Sequence, residues 1–321
     1  MALDNDVADH KTLCEPGRCA MAFLIAEEGA KVQGGGGEAI ATERVNGDSA
    51  WMGGSNDGVR RGLTKKGYFI GLAVIFISSY SQYLIPRVNL IAGAFWVYGI
   101  SIAAISAIWG GSVLRRAFHD TIGAFKVGLA SLGIFSVAGS IASFLVVAML
   151  KGLDPTALTV LQKPLPVLNV PHETAWLMAG ASILVVGPCE EYIFRGFVFG
   201  GLLSLFGVRR WLLLALISSL LFAGVHAYYA IVYGVAALVP FVEIVAIGMA
   251  LAVAYYLSGG NLLMPALIHG AYDATGFIGA ATRPEVGARL KGALILVSLL
   301  VAALVMMGRR NGPWPRPIDR P

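Results

Sequence analysis

The chain has 321 residues, of which 57% are hydrophobic and 13% charged, and its mean hydropathy is +0.72. Soluble domains carry roughly a quarter of their residues as charged side chains, so a water-soluble globular fold is excluded. The net charge is +5 and the pI about 9.1, but no basic run is interleaved with aromatics, which argues against a nucleic-acid partner.

Residues 1–65 are polar and Gly-rich, with the run Gly34-Gly35-Gly36-Gly37, and read as a disordered cytoplasmic tail. An apolar patch at 20–26 is too short to span a bilayer and lacks the basic flank of a signal peptide. Cys14 and Cys19 fall in this tail, and with Cys189 they are too few for a disulfide framework. From residue 66 to about 310 the chain is a series of apolar stretches near the 20 residues that a helix needs to cross hydrocarbon. They are 68–85, 90–108, 127–150, 175–206, 211–228, 231–257, 262–280 and 292–307. The predicted fold class is therefore all-α, a polytopic transmembrane bundle of about eight helices, and its partner is the lipid bilayer. The 40 glycines suit helices that pack closely through small side chains.

The fourth stretch is too long for one perpendicular span. Pro188 and the pair Gly200-Gly201 interrupt it, which predicts a kink at the proline or an end near the glycines. With the N-terminus inside, thirteen Lys and Arg fall on inside segments and six on outside ones, Arg195 being left out because it lies within a span. This bias predicts a multi-pass protein of the cell membrane with both termini cytoplasmic, residues 311–321 forming the C-terminal tail. No internal repeat marks paired transporter halves.

Charged groups in hydrocarbon cost several kcal/mol each, so each one in a span needs a reason. Glu190, Glu191, Arg195, His226, Glu243, His269 and Asp273 fall within the spans. Six of these seven lie on the fourth, fifth and seventh helices. Glu191 and Arg195 are four apart and share a helix face, so they can pair. Glu190 is turned by about 100° from Glu191 and is left without a local partner, which suits a general base or acid. His269 and Asp273 are also four apart. Asp273 can hold His269 in one tautomer, or both can point at a common centre. Carboxylates and imidazoles from three helices then meet in one polar cavity, a set that fits water activation and peptide hydrolysis. Cys189 reads as a small core residue, and Glu243, alone on the sixth helix, as a helix–helix contact. No H-E-x-x-H motif and no Gly-x-Ser-Gly or Gly-x-Gly-Asp segment occurs.

Three motifs follow one another here: Glu190-Glu191 with Arg195, Phe222 with His226, and His269 with Asp273. In this order, they resemble the CAAX protease and bacteriocin-processing intramembrane peptidases, also called the type II CAAX prenyl endopeptidase-like or Abi family. The segment Gly260-Asn261-Leu262-Leu263, followed by Pro265, Ala266 and His269, is similar to the family's approach to its last motif. The resemblance covers about residues 175–280. It implies a helical membrane bundle with its site in a cavity, and a peptide or membrane-protein substrate. It further implies that Glu190 activates water and His269 assists, that His226 and Asp273 stabilise the oxyanion and position the scissile carbonyl, and that Glu191, Arg195 and Phe222 support the site. Asp273 departs from the asparagine that family members can carry, since an ionised carboxylate cannot donate to an oxyanion. Cofactor use stays open. Glu190, His226, His269 and Asp273 are the candidate ligands for Zn2+ or another divalent metal, and a glutamate–histidine pair activates water equally well without one. The alternative function is a non-proteolytic membrane protein of the same fold: a scaffold, an immunity protein or an ion- or proton-conducting protein.

Overall fold

The computed structural model describes residues 63–84, 92–93, 95–109, 117–118, 120–153, 156–162, 168 and 170–308. The reading of residues 1–65 as a disordered tail lies outside them but for its last three positions, as do Cys14, Cys19 and the tail 311–321. Among the described residues there are helices and turns and no strand. We number the helices α1 (Lys65–Leu84), α2 (Phe95–Trp109), α3 (Thr121–Leu153), α4 (His172–Phe206), α5 (Val208–Val225), α6 (Leu238–Leu257), α7 (Leu263–Ala281) and α8 (Pro284–Gly308). The eight expected stretches match these eight helices in order, so the protein is an all-α, multi-pass membrane bundle. Five segments are long and apolar enough to cross a bilayer: α3, α4, α5, α8 and Tyr229–Leu257, which contains α6. Helix α7 is not among the five, and it is the helix that bears His269 and Asp273.

Helix α4 is the axis of the bundle. Every residue from Glu191 to Leu203 is buried, as expected of a helix apolar on all sides and surrounded by others. Its Ile193, Phe197, Val198 and Phe199 form the main core with Tyr68, Ile105, Leu214, Phe222 and Tyr255 from α1, α2, α5 and α6. A second core joins Leu129 and Leu132 of α3 to Ile247 and Leu251 of α6 and Ile268 of α7. Large apolar side chains cover the outer faces, among them Ile141, Phe144 and Leu145 on α3 and Leu296, Leu300 and Leu304 on α8. Contiguous apolar surface of this extent is matched by lipid rather than water.

Neither predicted interruption of the fourth stretch ends the helix. Pro188 has no N–H and its ring crowds the carbonyl four residues back. The turn just before it, Ser182–Val186, is wound as a π-helix, and such wider turns relieve the clash and recur at functional sites. A second π stretch, Tyr192–Phe199, follows the two glutamates. The helix runs through Gly200-Gly201 and stops at Gly207, whose φ of +80° favours glycine. Gly201 keeps its place because a Cβ there would strike the ring of Tyr68, whose hydroxyl donates to the carbonyl of Val198 at 3.0 Å.

The crossing of α4 and α7 sets the site. A Cβ on Gly187 would lie 2.5 Å from the carbonyl oxygen of Ala266, and one on Gly270 would lie 2.5 Å from Cα of Ile183 and collide with the carbonyl of Ser182. Two glycines thus let the backbones touch, the close approach that small residues permit between membrane helices. Helix α7 also begins inside the protein. Asn261 is fully buried and its side-chain oxygen accepts from the N–H of Met264 at 3.0 Å. The amides of Leu262 and Leu263 both donate to the carbonyl of Ala117 at 3.0 Å.

Candidate active site

Glu190 and Glu191 stand about midway along α4, directly at the glycine crossing. Glu191 is fully buried and its Oε1 accepts two hydrogen bonds, from Arg195 Nη1 at 2.8 Å and from His269 Nδ1 at 2.8 Å. Arg195 is equally buried. Its Nη2 donates to the carbonyl of Gly248 on α6 at 3.2 Å, and its guanidinium lies 4.7 Å above the ring of Phe222. The charge pair expected from the i,i+4 spacing is present, and it ties α4, α5, α6 and α7 together.

The contact with Glu191 fixes the imidazole of His269. A carboxylate only accepts, so Nδ1 carries the proton. In the neutral ring Nε2 therefore presents a lone pair. It faces Glu190 Oε2 at 3.6 Å and Asp273 Oδ2 at 3.4 Å. Of the two arrangements left open for Asp273, the geometry is that of a common centre: orientation of the His269 ring falls to Glu191, which acts on the opposite nitrogen from Asp273. Burial is graded across the group. The side chains of His269, Glu190 and Asp273 are 4%, 13% and 36% exposed, so the network opens outwards from Glu191 toward Asp273.

His226 caps the C-terminus of α5. Its Nδ1 is 2.9 Å from the carbonyl of Phe222. A carbonyl cannot donate, so here too Nδ1 carries the proton and Nε2 points away from the helix end. Phe222 joins it to the rest. Its ring makes edge-to-face contacts with His226 at 4.9 Å, His269 at 5.6 Å and Phe194 at 5.0 Å. Beyond His226 stack Tyr228 and Tyr229. The structure thus gathers Glu190, Glu191, Arg195, His269 and Asp273 into one polar network, with His226 approaching it through an aromatic ring. Cys189 is a half-buried free thiol beside this network.

One contact has no counterpart in the motifs. The hydroxyl of Tyr98, on α2, donates to Glu190 Oε1 at 2.7 Å. A tyrosine in an apolar stretch carries no signal by its spacing, so only the fold reveals it.

Glu243 lies elsewhere. Its Oε2 is 3.9 Å from Lys291 Nζ on α8, and Lys291 also sits 4.4 Å over the ring of Tyr272. These side chains line a pocket with Ser136, Ser140 and Ile295, next to Asp273 in sequence but served by a different face of α7.

For a divalent metal, the donor set does not assemble. Among the described residues no group of three or more His, Cys, Asp or Glu side chains is arranged to hold an ion. The ring of Phe222 touches the imidazoles of both His226 and His269.

Residues 172–275, about a third of the chain, match the model of the family described as Type II CAAX prenyl endopeptidase Rce1-like. Comparisons with curated proteins and with solved structures gave no match. The matched stretch begins with α4, ends within α7, and contains every side chain of the three motifs. Through this stretch the chain is similar to the family described as Type II CAAX prenyl endopeptidase Rce1-like.

Proposed function

We propose that the protein is an intramembrane endopeptidase that hydrolyses a peptide bond in a membrane-associated or C-terminal segment of its substrate. The observation that carries this reading is the 3.6 Å separation of Glu190 Oε2 and His269 Nε2, with Glu191 holding the far nitrogen of the ring. The gap is too long for a direct hydrogen bond and suits one water that donates to both acceptors.

In the reaction Glu190 Oε2 takes a proton from that water as its oxygen adds to the scissile carbonyl carbon. The carbonyl oxygen becomes an oxyanion. Collapse breaks the C–N bond, and the proton held by Glu190 passes to the leaving amine. His226, with Nδ1 committed to Phe222, donates to the oxyanion through Nε2 when its ring carries both protons. Ionised Asp273 can only accept a hydrogen bond, so it aligns the substrate through a peptide N–H rather than serving the oxyanion. Residues 66–310 form the membrane domain of this reading, in the cell membrane, with cytoplasmic tails at 1–65 and 311–321.

The test is cleavage of a panel of peptides and membrane-anchored segments by purified, reconstituted protein. Glu190→Gln and His269→Gln are each expected to lower kcat by at least about a hundredfold while remaining folded. A chelator is expected to leave the wild-type rate unchanged. Wild-type cleavage by Glu190→Gln would remove Glu190 from the chemistry, and loss of activity in chelator would require a metal.

A further inference from the structure

Tyr98 stands outside the stretch that matches the family and outside every motif of the sequence, yet its hydroxyl reaches Glu190 from another helix with a hydrogen bond of 2.7 Å. The turn that bears it is itself anchored. Residues Phe95–Gly99 are wound as a π-helix, a form that recurs where a side chain has to be re-aimed for function. On one side of Tyr98, Trp96 Nε1 donates to Ser81 Oγ on α1 at 2.8 Å. On the other, Ser101 Oγ is 3.0 Å from Ser78 Oγ, also on α1, and both serines are buried. Helix α1 is in turn bound to α5 where the hydroxyl of Tyr80 donates to the carbonyl of Gly224, two residues before His226. The turn that bears Tyr98 is thus held from both sides by α1, and α1 is tied to the segment that bears His226.

Its choice of acceptor matters. Glu191 already accepts from Arg195 and His269, so a tyrosine that merely needed a partner would add nothing there. Tyr98 engages the carboxylate that lacks a cation. By occupying Oε1 it leaves Oε2 as the oxygen that faces His269 Nε2, and it blocks rotation of the carboxylate about its terminal bond, a soft torsion in glutamate.

We propose that Tyr98 is a positioning residue of the active site, which fixes the Glu190 carboxylate through Oε1 so that Oε2 meets the attacking water. This inference rests on the reading of Glu190 as the group that activates water. A hydrogen bond to a charged group contributes strongly in a dry site, and misplacement of a general base lowers the rate of the chemical step rather than substrate affinity.

The experiment measures kcat and KM for cleavage of a panel substrate by reconstituted wild type, Tyr98→Phe, Glu190→Asp and the double variant Tyr98→Phe/Glu190→Asp, with Tyr192→Phe as a control for loss of a tyrosine hydroxyl that does not touch Glu190. Tyr98→Phe is expected to lose about tenfold to a hundredfold in kcat with KM and thermal midpoint unchanged. Glu190→Asp withdraws the carboxylate from the hydroxyl, so in that background the Phe substitution is expected to change kcat by less than about twofold. The control is expected to cleave as wild type. Wild-type kcat in Tyr98→Phe, an effect confined to KM, or the same loss in the Glu190→Asp background as in wild type would each overturn the proposal. Wild-type cleavage by Glu190→Gln would instead overturn the reading of Glu190 on which it rests.

Discussion

At the residue scale, the centre of the molecule is a buried ionic group that a membrane protein would avoid unless it were useful. Arg195 is the side chain with most at stake. It is fully buried and serves Glu191, Gly248 and the face of Phe222 at once. Arg195→Leu leaves the buried Glu191 carboxylate without its guanidinium, with His269 as its remaining partner, and removing one partner of a buried pair costs about 3–5 kcal/mol. The expected result is a marked fall in thermal midpoint in detergent, and an unchanged midpoint would show the pair to be incidental. Glu191→Gln keeps the volume and an acceptor oxygen but loses the charge, so it is expected to weaken both stability and activity, whereas Glu190→Gln is expected to affect activity alone. The i,i+4 pairing of Glu191 with Arg195 was readable from the sequence because helical geometry fixes it. The bond from His269 to Glu191 was not, because it joins residues 78 apart and depends on how two helices cross. The same reason hid Tyr98.

At the element scale, the site exists because α4 and α7 touch. The spacing of Glu190, His269 and Asp273 along their helices was legible, and so was the trouble at Pro188. The response to that trouble was not: a π-helical turn absorbs the proline, and the helix neither stops nor breaks at Gly200-Gly201. Only the packing against Tyr68 explains why Gly201 is there. Gly270→Ala is therefore expected to push α7 away from the backbone of Ser182 and Ile183. Overpacking of this kind costs about 1–3 kcal/mol, and it moves His269 away from both glutamates. The variant should lose more activity than stability, measured as kcat against thermal midpoint. An alanine at the exposed Gly292, where a Cβ meets open space, should change neither. A Gly270→Ala protein with wild-type kcat would mean that the close crossing does not position the site.

At the scale of the whole molecule, composition alone already required a membrane protein, and the eight apolar stretches anticipated the eight helices among the described residues. Eight crossings would put both ends of the bundle on one side, and we propose from the distribution of Lys and Arg that this side is the cytoplasm. Reporter fusions after Met307 and within the α3–α4 connection are expected to read cytoplasmic and external respectively, and the reverse pattern would invert the topology. The network at the centre lies between helices whose outer faces are apolar. The most direct test compares the two intramembrane carboxylates that the structure sets in different surroundings, Glu190 against His269 and Glu243 against Lys291. Cleavage of a membrane-anchored substrate by reconstituted Glu190→Gln and Glu243→Gln, at equal folded amounts, should be abolished in the first and retained in the second. Retention of cleavage by Glu190→Gln would contradict the account.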